Sequence, residues 1–350
     1  MHKSNRIYGW LVLTVMLAFV SSMAWAGTKS ELVVAAWGDP YEVEWRKSIV
    51  PAFEKKFGVR ILWDVGYSTQ TLAKLQAQRA NPQIDVALFD IGPQELARRQ
   101  GLIARLDPKI VTNLADMHKS ARLPNDEGVA FGLAGTVLYY NSRVFKDKGW
   151  SPPTSWLDVW DPRYKGHVLI HSITNGNGLN FVLAVNKILG GSEQDITPGL
   201  NKIKTLVAHV ITFDKVNDTP ALVQQGEAWI GTWGVERIAN MAGTGVPVAM
   251  AMPKEGAVSL HATANVVKGA PNERLAQEFV NMMIAQDQQE FNAKFVGYGP
   301  LNVKVRLDPD TAKKVIYGEA VDRVIHPNWK IVNDSRAQWT ERWNKEVESK

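Results

Sequence analysis

The sequence predicts an α/β protein built from two lobes. Apolar strand-like runs alternate with helical spacing from residue 32 to residue 101. A second alternating unit runs from residue 166 to residue 233. The length, 350 residues, suggests about two domains at roughly 100–200 residues each. Strand–helix–strand order in both units implies parallel sheets. An apolar fraction of 45% is enough for real cores and argues against disorder.

Composition narrows the chemistry. Zero cysteines excludes disulfides, cysteine nucleophiles, thiolate zinc sites, iron–sulfur clusters and thiol-linked lipid. A net charge of +5, dispersed along the chain, is too mild to suggest nucleic acid. Met1–Ala26 reads as a secretory leader: Lys3 and Arg6 form a positive start, Ile7–Val20 is apolar, and Ala24-Trp25-Ala26 gives the small-x-small cleavage pattern. The apolar run is shorter than the ~20 residues a transmembrane helix needs. Cleavage after Ala26 without a lipobox cysteine predicts a freely diffusing periplasmic protein.

In the first unit, Leu32–Trp37 is a buried strand that stops at Gly38-Asp39-Pro40. Glu42–Phe57 has helical spacing, with Pro51 as a kink and Gly58 as the terminating glycine. Val59–Trp63 is a strand, Thr69–Arg79 a helix, and Ile84–Phe89 a strand ending at Asp90-Ile91-Gly92-Pro93. Gln94–Gln100 is a helix closed by Gly101. Thr136–Asn141 is extended.

In the second unit, the strand Gly166–Ile170 precedes the polar turn Ser172–Gly178, and Leu179–Leu189 and Leu200–Ala208 are helices. Leu222–Gly226 ends another helix before the strand Ala228–Trp233. Val246–Ala251 and His261–Val267 are strands; Glu273–Gln286 and Gln288–Phe295 are helices. The tail Asp310–Glu348 is mostly helical, with a break at Pro327.

Catalytic spacings are scarce. There is no Walker loop, full dinucleotide fingerprint, H-E-x-x-H or G-x-S-x-G. His167 and His171 share a strand face about 13 Å apart, too far to chelate one ion. Tyr139 and Tyr140 would have to act together as phenolate iron ligands, yet neighbours on a strand face opposite ways. No cofactor or metal is implied.

Strand ends carry aromatic residues instead. Trp37 lies where the first strand gives way to a loop, with Asp39 and Tyr41 beyond it, and Trp233 ends a strand of the second unit. Ligands of open α/β sheets bind outside the carboxyl ends of strands. Aromatic faces there hold flat or cationic groups; the alternative is that these tryptophans pack the cores. Trp45, Trp63, Trp156 and Trp160 fall inside periodic segments and belong to cores. Thr174, Asn175, Gly176 and Asn177 precede a helix and suit an anion, or simply cap it. Asp90 could pair with an ammonium or cap the next helix.

Several stretches then resemble one family. They are Trp37 with Tyr41, Asp85–Leu88, Gly101-Leu102-Ile103 with Leu106-Asp107, the block Ser155–Gly166, Gly226-Glu227, Pro253–Gly256 and Gly297–Asn302. In this order and spacing the chain resembles the extracellular solute-binding proteins of ABC importers, in the spermidine/putrescine-binding branch. The resemblance implies a two-lobed periplasmic-binding-protein fold of the second type, its lobes joined by crossing strands and closing on a solute by hinge motion. It implies lobe 1 from 27–134 plus 258–306, lobe 2 from 135–257, and a helical segment 307–350 packed on both. The crossings fall near 132–137 and 258–264. Trp37, Tyr41, Trp233 and Tyr298 fall at the pocket. A small-molecule solute and an inner-membrane ABC permease are the implied partners of a monomer.

The departures bear on the solute. Polyamine binders carry an acidic pair where this chain has Thr174–Gly178. They carry a tryptophan and an aspartate near Ser259–Ala262, and tyrosines where this chain has Ile91-Gly92-Pro93. A buried ammonium without a carboxylate costs several kcal/mol. Amides, hydroxyls and glycine N–H groups suit an anionic or zwitterionic solute better. The other readings are an exported enzyme on a two-lobed scaffold and a sensor subunit that presents its ligand to a receptor.

Overall fold

The computed structural model describes residues 31–38, 41–215 and 218–348; the leader Met1–Ala26 and Asp39 lie outside the described residues. The first half opens with β1 (Glu31–Ala36), α1 (Tyr41–Trp45), α2 (Ile49–Phe57), β2 (Arg60–Val65), α3 (Ser68–Ala77), β3 (Val86–Asp90) and α4 (Ile91–Arg99). Strand β1 pairs in parallel with both β2 and β3. Its side chains are covered on both faces, which explains a continuous apolar run rather than an alternating one. The predicted kinked helix 42–57 is two helices. Pro51 falls in the first turn of α2, where its missing N–H breaks no helical bond. Gly58 takes φ 68° and its N–H bonds the Glu54 carbonyl, closing α2.

The chain continues through β4 (Val129–Asn141), α5 (Ser142–Lys148), β5 (Val168–His171), α6 (Gly176–Ile188), α7 (Thr197–Lys204), β6 (Val210–Asp214), α8 (Thr219–Gln225), β7 (Ile230–Gly234), α9 (Val235–Gly243) and β8 (Val248–Ala251). It ends with β9 (Val258–Val266), α10 (Glu273–Met283), α11 (Gln286–Phe291), α12 (Pro309–Ala312) and α13 (Trp329–Trp343). Helices α5 and α9 and strand β6 were not anticipated from the sequence. Among the described residues no helix is long and apolar enough to cross a membrane.

The strands follow the order β2-β1-β3-β9-β4-β7-β5-β6, with β8 also on β4. Strand β4 is shared between the halves. Val129–Thr136 pairs antiparallel with β9, and Thr136–Asn141 pairs with β7 and β8. Strand β9 in turn reaches β3 through Ala262–Val266. The stretches 132–137 and 258–264 lie within these two crossing strands. A third connection runs beside them, where Val258 bridges Ile325. The segment then enters α13, whose Val332, Trp339 and Trp343 are buried in the second half.

One core cluster gathers Trp45, Phe53, Phe131 and Phe279; another gathers Phe145, Trp156, Tyr164 and Phe181. Trp45 and Trp156 are fully buried, and Trp63 and Trp160 pack against these clusters from partly buried positions.

Gly132 marks a register shift in the β4–β9 ladder and lies directly under Tyr298. A Cβ there would sit 2.8 Å from both Cβ and Cγ of Tyr298, and no rotamer change moves that Cβ away. Gly132→Ala is therefore expected to lower unfolding free energy by about 1–3 kcal/mol. Chemical denaturation of the two proteins side by side checks this; an unchanged midpoint would mean that the ladder yields freely.

Candidate functional site

A cleft of about 760 Å³ opens at the carboxyl ends of β1, β3 and β7, facing the N-terminus of α6. It brings together Trp37, Tyr41, Asp90, Asn175, Gly176, Asn177, Trp233 and Tyr298. Thr174 is not among its lining residues; its carbonyl accepts a hydrogen bond from Arg336 at 3.2 Å.

The first wall is aromatic. Tyr41 stacks on Tyr298 with ring centroids 5.6 Å apart and planes within 10°. Trp37 tilts against Tyr41 at 5.7 Å, and Phe131 meets Tyr298 edge-on at 5.9 Å. These contacts hold the rings in place against one another. Burial, with Glu236 adding to it, pushes the Tyr41 phenol up to about 12. Tyr298 is raised well above its ordinary range by burial first and Tyr41 next. Both phenols are neutral at ordinary pH.

Trp37 also orders a carboxylate. Its Nε1–H donates to Ser68 Oγ at 3.1 Å, and the Ser68 hydroxyl donates to Asp90 Oδ2 at 2.9 Å. The Asp90 N–H donates back to Ser68 Oγ at 3.1 Å. Asp90 occupies the N-cap position of α4, yet its side chain makes no capping bond. The capping alternative is thus overturned: Ser68 claims the carboxylate. Burial raises the Asp90 pKa, and the hydrogen bond from Ser68 opposes that rise.

The opposite wall comes from β7 and α9. Trp233 is buried and tilts against His171 at 5.2 Å, and it also lines the cleft. Three residues on, Glu236 enters the cleft from the first turn of α9. Its side chain is 16% exposed, and Oε2 has no hydrogen-bond partner. Arg237 lies beside it on the rim, with Nε 3.9 Å from Oε1. Burial raises the Glu236 pKa, and Asp90 adds to the rise.

The expectation of a site furnished by amides, hydroxyls and glycine N–H groups is corrected by this second carboxylate. Val235, Ile238 and Met241, spaced by three and followed by Gly243, were the signal for a helix that would bring Glu236 to the strand end.

The floor is the start of α6. Asn175 caps that helix, its Oδ1 accepting the Asn177 N–H at 2.8 Å. Thr136 of β4 donates to Asn177 Oδ1 at 2.8 Å and accepts from Asn180 Nδ2 at 2.9 Å. Leu260 reaches the cleft from β9, and Gln70 and the exposed Tyr67 stand at its edge.

Other candidates lie elsewhere. Tyr139 is wholly buried, His167 stacks on Trp229, and His171 holds the Thr232 carbonyl through Nδ1. Among the described residues no group of three metal-ligating side chains converges.

A family model described as bacterial extracellular solute-binding protein matches residues 48–318. The spermidine/putrescine-binding periplasmic protein of Escherichia coli is 26% identical over 300 residues, covering 80% of this chain and 83% of that protein. The gamma-aminobutyric acid-binding protein of Pseudomonas aeruginosa is 22% identical over 332 residues, covering 90% of each. The crystal structure of an ABC transporter from Clostridium perfringens superposes with a TM-score of 0.79 at 25% identity, covering 90% of this chain and 99% of that one.

Both cleft carboxyls are held above their ordinary pKa by burial. The folded state therefore keeps those protons at a pH where the unfolded chain has released them. Their contribution to stability is present in acid and is lost as pH rises through the folded pKa. Asp90→Asn and Glu236→Gln should each make the solute-free protein more stable at neutral pH, by about 0.5–2 kcal/mol. Thermal melts from about pH 4 to 8 check the sign; the gain should vanish at the acid end.

Proposed function

Because the chain belongs to the bacterial extracellular solute-binding protein family, its task is to capture a small solute for an ABC importer, and we propose that it does so in the periplasm with a zwitterion as its solute. The solute carries an ammonium at one end and a carboxylate, phosphate or phosphonate at the other. The observation that carries this reading is the convergence of Asp90 and the partnerless Glu236 Oε2 on one aromatic-walled cleft. Two poorly hydrated carboxylates are costly unless a cation answers them. An ammonium does so, with Trp37, Tyr41 and Trp233 offering ring faces worth about 0.5–2 kcal/mol.

The acid end of the solute meets the start of α6, where the helix dipole and the Asn175–Asn177 turn favour negative charge. Arg237, beside Glu236, adds a cation to the cleft lining. A diamine would set its second ammonium against both. The relatives support an amine-bearing solute: one is named for spermidine and putrescine, the other for gamma-aminobutyric acid. The two lobes, proposed as 27–134 with 258–306 and 135–257, close about β4 and β9. A solute that touches both lobes prefers the closed form and shifts the population toward it.

Calorimetry tests the reading with gamma-aminobutyrate, 2-aminoethylphosphonate, an N-acetylated ω-amino acid, putrescine and spermidine. Zwitterions should bind and their N-acetylated counterparts should not. Asp90→Asn and Glu236→Gln should each cost tenfold or more in affinity, at about 1.5–3 kcal/mol per charged hydrogen bond. Trp37→Ala and Trp233→Ala should weaken binding. Asn175→Ala with Asn177→Ala should weaken only solutes with an acid end. Tighter binding of spermidine than of every zwitterion would overturn the assignment.

A further inference from the structure

Strand β9 has two faces, and only one of them looks into the cleft. Leu260 lies on the cleft side, whereas its neighbours Ser259 and His261 line a second cavity of about 440 Å³. The walls of this cavity are α4, the 119–124 segment and the 326–330 run at the start of α13. Two buried polar atoms there have no hydrogen-bond partner: Ser259 Oγ, on a residue 1% exposed, and His261 Nε2, on a residue 5% exposed. His261 lies nearly parallel to His326, centroids 5.3 Å apart and planes within 14°.

Basic groups outnumber acidic ones around the rim. Arg98, Arg122 and Lys330 line it and are engaged by Glu95, Asp126 and Asp334 respectively. Lys119 lines it too and makes no ion pair among the described residues. We propose that this cavity is a second binding site, for a small multivalent oxyanion held by His261, Ser259, Lys119 and Arg122.

The chemistry of the walls selects that class. A cation would meet Lys119 uncompensated, and an apolar guest would leave Ser259 Oγ and His261 Nε2 unsatisfied. An oxyanion accepts from both and from the two cationic side chains. The volume falls in the range of small-molecule sites and takes phosphate or a short polycarboxylate. His261 is neutral in this setting: burial foremost, then His326 and His118, lower it to about 3. An anion beside the ring opposes that lowering, which supplies a signature.

Imidazole NMR of the purified full chain, titrated with inorganic phosphate or with citrate, tests the proposal against chloride at matched ionic strength. Resonances of His261 and His326 should shift saturably with one or both oxyanions and not with chloride, and the His261 pKa should rise. A response to phosphate alone marks an inorganic oxyanion, and to citrate alone an organic acid. Lys119→Gln with Arg122→Gln, both at the surface, should weaken the response about tenfold. Glu236→Gln, in the cleft, should leave it unchanged. Shifts matched by chloride, or the same in the Lys119/Arg122 variant, would overturn the assignment.

Discussion

The antiparallel ladder between β4 and β9, from Val129 opposite Ala264 to Thr136 opposite Val258, is the constraint on which the rest depends. Several of the residues that line the cleft are hung from it. Asp90 is placed by β3 pairing Asp90 with Ala262 of β9. Trp233 is placed by β7 pairing it with Val137 of β4, and Glu236 follows two residues after Gly234. Tyr298 is held by its neighbour Gly299, whose N–H and C=O both bond Leu133 of β4. The cleft is therefore assembled at strands that both halves share, so a change in their twist moves both walls together.

The electrostatics of the cleft run against stability. Asp90 and Glu236 both raise the ionisation cost of the Tyr41 and Tyr298 phenols, and Asp90 raises that of Glu236. Packing elsewhere offsets this: the aromatic set Trp45, Trp63, Phe131 and Tyr298 joins the cleft wall to the first core without a break. A site left in an unfavourable charge state by a rigid wall has more to gain from its solute than one relaxed without it.

Much of the fold was legible because local patterns agreed with tertiary burial. The apolar runs of β1 and β3, the Gly58 stop, and Trp37 and Trp233 at strand ends all follow from short-range rules. What escaped is also explicable. Strand β6 is only partly buried and has no clean alternation, and α5 is seven residues long. Glu236 looked like any acid after a strand; its role depends on how far α9 turns it inward, which no spacing rule states. Asp90 was visible, but whether it would cap α4 or face the cleft was settled by Ser68, 22 residues earlier in the chain. Long-range partners of that kind leave no local trace.

The alternation along β9 has a consequence for what the chain tolerates. Leu260 and its two neighbours serve chambers on opposite sides of one strand, so their order is fixed twice over. Inserting or deleting a single residue just ahead of them would turn this stretch inside out, driving an imidazole into the aromatic-walled cleft and a leucyl side chain among the basic groups behind it. Length variation in this protein belongs in the outer turns, and the central ribbon must keep its count.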